Sequence, residues 1–123
     1  MPALKVAKLG DPVLRQKAKP VDLDSLTSSH NNEIQGFIDD LIDTMHKEGG
    51  VGIAAPQVAR SIQIIVVEYL ENERYPGEKE IPLMALVNPT ITRYGEEKVE
   101  GWESCLSLID LRGLVTRSKE ITV

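Results

Sequence analysis

EIQGFIDDLIDTMHKEGGVGIAAPQ, residues 33–57, holds an amphipathic pattern, its stop signal and a glycine-rich stretch in one run. Ile34, Phe37, Ile38, Leu41, Ile42 and Met45 recur at the three- and four-residue spacing of one helical face. Asn32 stands ahead of them as a cap, with Gln35 placed to bond back to it. Gly49 and Gly50 follow, and glycine lets a chain leave a helix at positive φ. The spacing therefore predicts a helix over 33–48. Beyond it, glycines and alanines leave the backbone of Val51 to Ile53 bare, which suits close approach by a ligand chain. Gln57 adds an amide that can donate to a carbonyl oxygen. Taken alone, the stretch is first a tight helix-to-strand connection made of small packing residues.

Outward from this run, the chain turns to strands. IQIIVVEY (62–69) is β-branched and apolar on both faces at its centre, which predicts an interior strand. Pro76-Gly77 marks a turn in an exposed charged loop. Leu86 to Tyr94 reads as another strand, with an edge or bulge at Asn88-Pro89. Shorter strands are expected over Glu97–Ser107, around Leu114-Val115, and over Glu120–Val123. On the amino-terminal side, GDPVLR (10–15) predicts a short helical turn capped by Asp11, and the polar stretch from Val21 to Asn32 a surface loop. One long helix among several short strands implies an α+β fold with mostly antiparallel sheets. The expectation is a single domain over 1–123, truncated at its C-terminus, because ITV (121–123) has the character of a strand just begun.

A chain of 123 residues buries roughly two-thirds of its unfolded surface, enough for a core. With 41% hydrophobic and 27% charged residues it has the composition of an ordinary globular protein. Lys plus Arg is 14 and Asp plus Glu is 19, so the net charge is 14 − 19 = −5. That balance argues against nucleic acid or an anionic membrane as the direct partner. No apolar run approaches the ~20 residues of a membrane span, and the first residues lack a signal-peptide core, so an intracellular location is expected. Cys105 is the single cysteine, which rules out an internal disulfide and fits a reducing compartment. By default such a cysteine is a small buried hydrophobe.

The second informative segment is EGWESCLSL, Glu100 to Leu108. Cys105 sits there beside Glu103, Ser107 and Leu106, whose N–H is expected to be free. A thiol in a strand or turn ligates a metal once deprotonated; the plainer reading is a half-buried thiol beside a solvated glutamate. Together, in this order, the two segments resemble peptide deformylase. The family's G-x-G-hydrophobic-A-A-x-Q signature is matched by Gly50, Gly52, Ile53, Ala54, Ala55 and Gln57, and its E-G-C-L-S signature by Glu103, Cys105, Leu106 and Ser107. GDPVLR, VNPTI (87–91) and LRGLV (111–115) are softer matches, so the likeness runs through essentially the whole chain.

The resemblance implies a metal-dependent hydrolase that removes formyl from the N-terminal formyl-methionine of nascent proteins in the cytoplasm or an organellar equivalent. It implies a divalent metal (iron(II), with nickel, cobalt or zinc able to substitute) held by Cys105 and by two histidines of an H-E-x-x-H helix. The metal would activate water. Gln57 and the Leu106 N–H would stabilise the oxyanion, while Gly50, Val51 and Gly52 would pair with substrate in strand fashion. Glu103 would orient a neighbour, with Arg112 as the candidate.

Ser104 departs from the family's glycine, and Ile109 and Thr116 from two usual prolines. Ser104 would be strained if positive φ were required there. The largest departure is that H-E-x-x-H occurs nowhere in the 123 residues, so the C-terminal metal-binding helix is missing. His30 and His46 match no family ligand position and are assigned structural roles. The expectation is then a deformylase-like chain that is inactive alone and does not stably bind metal. Faces left open on the 33–48 helix and the 62–69 strand are expected to make the chain self-associate, bind another protein over that face, or pack loosely. The alternative is a non-catalytic peptide-binding descendant. A cysteine hydrolase with Cys105 as nucleophile lacks a paired base.

Overall fold

The computed structural model describes residues 3–27, 32–70, 77 and 79–123. After a four-residue helix α1 (Asp24–Thr27), the 33–48 pattern folds as helix α2 (Asn32–Lys47). The Asn32 side chain lies outside the described residues. The Gln35 amide donates one turn onward, to Asp39 Oδ1 at 3.0 Å. At the far end the Gly50 N–H bonds the Met45 carbonyl at 3.0 Å, and Gly49 takes φ +70°, which glycine adopts at little cost.

The apolar stripe of α2 is packed. Phe37, Ile38, Leu41 and Met45 are buried, and Ile34 and Ile42 partly so. They meet an antiparallel sheet of β1 (Gly52–Ala54), β2 (Ile64–Tyr69) and β3 (Ile81–Val87), with β2 in the middle as its apolar run predicts. Pairing of Ile53 with Val66 and of Ile64 with Val87 puts these residues on the helix-facing side. The faces expected to lie open, on α2 and on β2, therefore cover each other. Exposed apolar side chains lie elsewhere, on β3 and on the later strands.

Those later strands form two ribbons: β4 (Arg93–Tyr94) pairs with β7 (Ile121–Thr122), and β5 (Lys98–Ser104) with β6 (Arg112–Ser118). The continuous strand expected over Leu86–Tyr94 is interrupted. Asn88 takes φ +53° at the end of β3, and its side chain clasps the Val21 backbone from both sides, at 2.7 and 2.8 Å. Asparagine tolerates this left-handed conformation better than most residues. Val21 is thereby drawn into the core, so the stretch from Val21 is not wholly the polar surface loop its composition suggests. The predicted turn at Gly10–Arg15 forms as Pro12–Arg15, with the Asp11 carboxylate accepting from the Val13 N–H. His30 and Pro76 lie outside the described residues. Among the described residues no helix is long and apolar enough to cross a membrane.

Candidate functional site

Two segments meet at one cleft. After β1 the chain makes a 3-10 turn, Ala55–Val58, with Pro56 in its first turn and Ala59 leaving it at φ +66°. Proline is preorganised for a first turn and needs no N–H there. Gln57 sits in this turn with its side chain fixed at both ends. Oε1 accepts from the Ala54 N–H at 2.9 Å, so Nε2 must face the other way. It reaches Ser107 Oγ at 3.2 Å and Cys105 Sγ at 3.6 Å.

The partner segment follows β5. The strand ends at Ser104, and the Leu108 N–H closes on the Cys105 carbonyl at 2.9 Å, turning the chain so that Cys105 is exposed. The default expectation of a buried thiol is thus wrong here, because the turn lifts it out of the strand. Ser107 is buried, while the Leu106 N–H donates to no described residue. Packing joins the segments: a methyl group on Gly50 would come 2.8 Å from Leu106 Cδ1.

Gly50, Val51, Gly52, Gln57, Cys105 and Leu106 all line this cleft of about 700 Å³. β1 is an edge strand, bonded among the described residues to β2 alone. The Glu68 N–H bonds the Val51 carbonyl at 3.0 Å, so Val51 faces β2. In an antiparallel ladder the next residue then points its N–H and C=O outward. Gly52 accordingly offers a donor and an acceptor to the cleft.

Glu103 does not engage Arg112. The register sets Arg112 opposite Ser104, on the other face of the ribbon. Arg117 pairs with Val99 on Glu103's face, and Gly101 and Gly113 between them leave an open lane for its side chain. Its guanidinium grips Glu103 with two hydrogen bonds, Nη2 to Oε1 at 2.7 Å and Nε to Oε2. These bonds hold Glu103 below the usual carboxylate range; burial opposes them, and Arg117's charge adds to them. Glycines on one face of two paired strands were the available signal. Ser104 is extended at the end of β5 and lines the cleft, so the serine carries no left-handed strain. His46 lies outside the cleft and bonds Glu68 Oε1 at 2.7 Å, tying α2 to β2. Lys8, which sequence reasoning passed over, reaches the Leu106 carbonyl at 3.0 Å from a segment with no motif of its own.

The fold and site define an α+β protein with an exposed thiol and a fixed amide in a cleft beside an open strand edge. Residues 3–123 match the family described as polypeptide deformylase, and the chain belongs to it. It is 47% identical to "Peptide deformylase 2" of Nostoc sp. and 43% identical to "Peptide deformylase 2" of Pseudomonas putida, across 98% and 94% of this chain. It spans 64% of the length of each of these relatives. Among solved structures, the Met-Ala-Ser-bound class I type b peptide deformylase of Acinetobacter baumannii matches with a TM-score of 0.91 at 39% identity, covering 98% of this chain and 74% of that one. The Thermotoga maritima peptide deformylase matches with a TM-score of 0.78 at 31% identity, covering 98% and 71%.

The family implies a divalent metal. Catalytic metal centres generally use three protein ligands. Among the described residues no three His, Cys, Asp or Glu side chains gather where they could hold a metal ion. Cys105 fits one ligand, and the described donor set does not fit a whole centre.

Proposed function

We infer that this chain supplies the peptide groove and the oxyanion-stabilising part of a peptide deformylase site, serving formylated N-termini of nascent peptides in the cytoplasm or an organellar equivalent. The observation that carries this is Gln57. Its carbonyl end is tied to the Ala54 N–H, so its amide is aimed at Cys105 Sγ and the cleft without further ordering. Gly52 pairs with the substrate backbone, with Gly50 and Val51 flanking it. Gln57 Nε2 and the Leu106 N–H donate to the formyl oxygen as it gains charge. A donor of this kind is worth ~2.7–4 kcal/mol in an enzyme site. The Met-Ala-Ser bound in the Acinetobacter structure supports a peptide as the occupant.

Cys105 is one ligand of the divalent metal, iron(II) in this reading, with nickel, cobalt or zinc as substitutes. The 123 residues taken alone are not a working hydrolase, because they contain no H-E-x-x-H. Incubation of the desalted chain with a formyl-methionyl peptide is expected to release no formate, and elemental analysis to find no stoichiometric metal. Formate release abolished by Gln57→Ala, or a metal lost on Cys105→Ser, would overturn this. Adding a fragment that bears H-E-x-x-H is expected to restore some activity. Peptide binding with no formate under any of these conditions would favour the non-catalytic descendant, a reading to which the single described ligand also lends weight.

A further inference from the structure

Gln57 follows the β1–β2–β3 sheet and Leu106 follows the β5–β6 ribbon, and the two share no strand pairing among the described residues. Yet their donors act on one oxygen only if the two motif segments keep a fixed spacing. Besides the Gln57–Ser107 side-chain bond and the packing of Leu106 on Gly50, two backbone bonds from residues 7–9 set this spacing. The Ala7 N–H donates to the Gln57 carbonyl at 2.6 Å, and the Leu9 N–H to the Ser107 carbonyl at 2.8 Å. The two donors are only two residues apart in the chain, just ahead of the turn that the Asp11 N–H closes on the Lys8 carbonyl at 2.9 Å. One short segment therefore pins both motif backbones. Val6 and Ala7 are buried, so the strap is anchored in the core.

Between the two pinned residues, Lys8 lines the cleft and bonds the Leu106 carbonyl at 3.0 Å. Leu106 is then held at two points, by Lys8 on its carbonyl and by its side chain seated over Gly50. We propose that residues 7–9 are the strap that spaces the two oxyanion donors, and that Lys8 is its positioning residue, holding the Leu106–Ser107 peptide and with it the turn that presents the Leu106 N–H. The strap itself is a matter of geometry. Its part in oxyanion binding rests on the deformylase reading above.

The test uses the full 123-residue chain, isotope-labelled, as wild type, Lys8→Met and Lys8→Arg. Without ligand, Lys8→Met is expected to shift the Leu106 and Ser107 amide resonances and alter Leu106 hydrogen exchange. The melting temperature should stay near wild type, and Lys8→Arg should restore the signals. Unchanged Leu106 and Ser107 amides in Lys8→Met would overturn the proposal, as would a general loss of dispersion that arginine does not rescue. The probe for the second arm is formyl-Met-Ala-Ser. It is expected to move the Leu106 amide of the wild type, and to bind Lys8→Met about fivefold more weakly, the effect of one ordinary hydrogen bond. Equal binding to both would overturn the role in substrate positioning. If the wild type does not bind but Lys8→Met still moves Leu106 and arginine restores it, the strap stands and the deformylase reading falls.

Discussion

The two halves of this molecule are built by different means. In the first, α2 and the β1–β2–β3 sheet bury apolar side chains against each other: Leu41, Met45, Ile64 and Val66 are all 0% exposed. In the second, the β5–β6 ribbon has the longer unbroken ladder, seven consecutive pairs from Lys98–Ser118 to Ser104–Arg112. Its cross-strand pair Trp102 and Leu114 is nevertheless 60% and 55% exposed. Backbone pairing fixes a ribbon's shape, but removal of apolar surface from water supplies most of the stability. The cleft lies on the seam: Gln57 comes from the packed half, Cys105 and Leu106 from the open one. Placement of its donors therefore depends on the few bonds that cross the seam.

The contrast can be broken most directly by truncating one side chain on each side. Leu41→Ala is expected to cost ~2–5 kcal/mol in urea unfolding, through lost transfer energy and the cavity left behind. Leu114→Ala is expected to stay within ~0.5 kcal/mol, as surface substitutions do. A Leu114→Ala penalty comparable to that of Leu41→Ala would mean that the ribbon is covered in solution. Light scattering and a hydrophobic dye sharpen the same question. Exposed Val99, Trp102 and Leu114, with Ile81, Leu83 and Met84 of β3, are expected to bind dye or bring chains together. A sharply melting monomer that binds no dye would sink that expectation.

A smaller effect separates two glycines of the chain. A methyl group on Gly95 would meet the Glu120 carbonyl oxygen at 2.9 Å, where backbone must move. On Gly50 it would meet the end of the flexible Leu106 side chain. Gly95→Ala is thus expected to disturb the β4–β7 pairing seen in amide exchange while leaving the core amides alone. Gly50→Ala is expected to leave stability nearly unchanged and to shift the Leu106 resonances. If Gly50→Ala costs more stability than Gly95→Ala, the site turn is more rigid than its exposure suggests.

The packed half was legible in the sequence because its rule is local periodicity. Ile34 to Met45 repeat at helical spacing, Ile62 to Tyr69 form one β-branched run, and Gly49-Gly50 supply the stop. The site was legible as residue types, since the two signatures name Gln57, Cys105 and Leu106. What the sequence hid was partnership across distance. Asn88 clasping Val21, Arg117 reaching Glu103 over two glycines, and Lys8 on the Leu106 carbonyl all join residues far apart in the chain. Register and turn geometry bring these residues together, and a one-residue change of register would choose Arg112's face instead.

The smallest expected effect concerns that cross-ribbon pair and its dependence on pH. Hydrogen bonds from Arg117 lower the Glu103 carboxyl below its ordinary value, and they raise Arg117. An unfolded glutamate titrates near ~4.3. Because the folded value is lower, the folded state holds fewer protons than the unfolded chain in the window between the two. The stabilisation is therefore complete above the unfolded value and is lost as pH falls through the folded one. Both side chains are well exposed, so the pair is expected to contribute at most ~1 kcal/mol and to weaken in salt. Urea midpoints of wild type and Glu103→Gln, measured from pH 6 down to pH 2.5, should start apart and converge at the acid end. In the Arg117→Met background the two curves should nearly coincide throughout. A constant gap between wild type and Glu103→Gln across that range would show that Glu103 acts through packing or another partner. The open ribbon would then be held by something other than this ion pair.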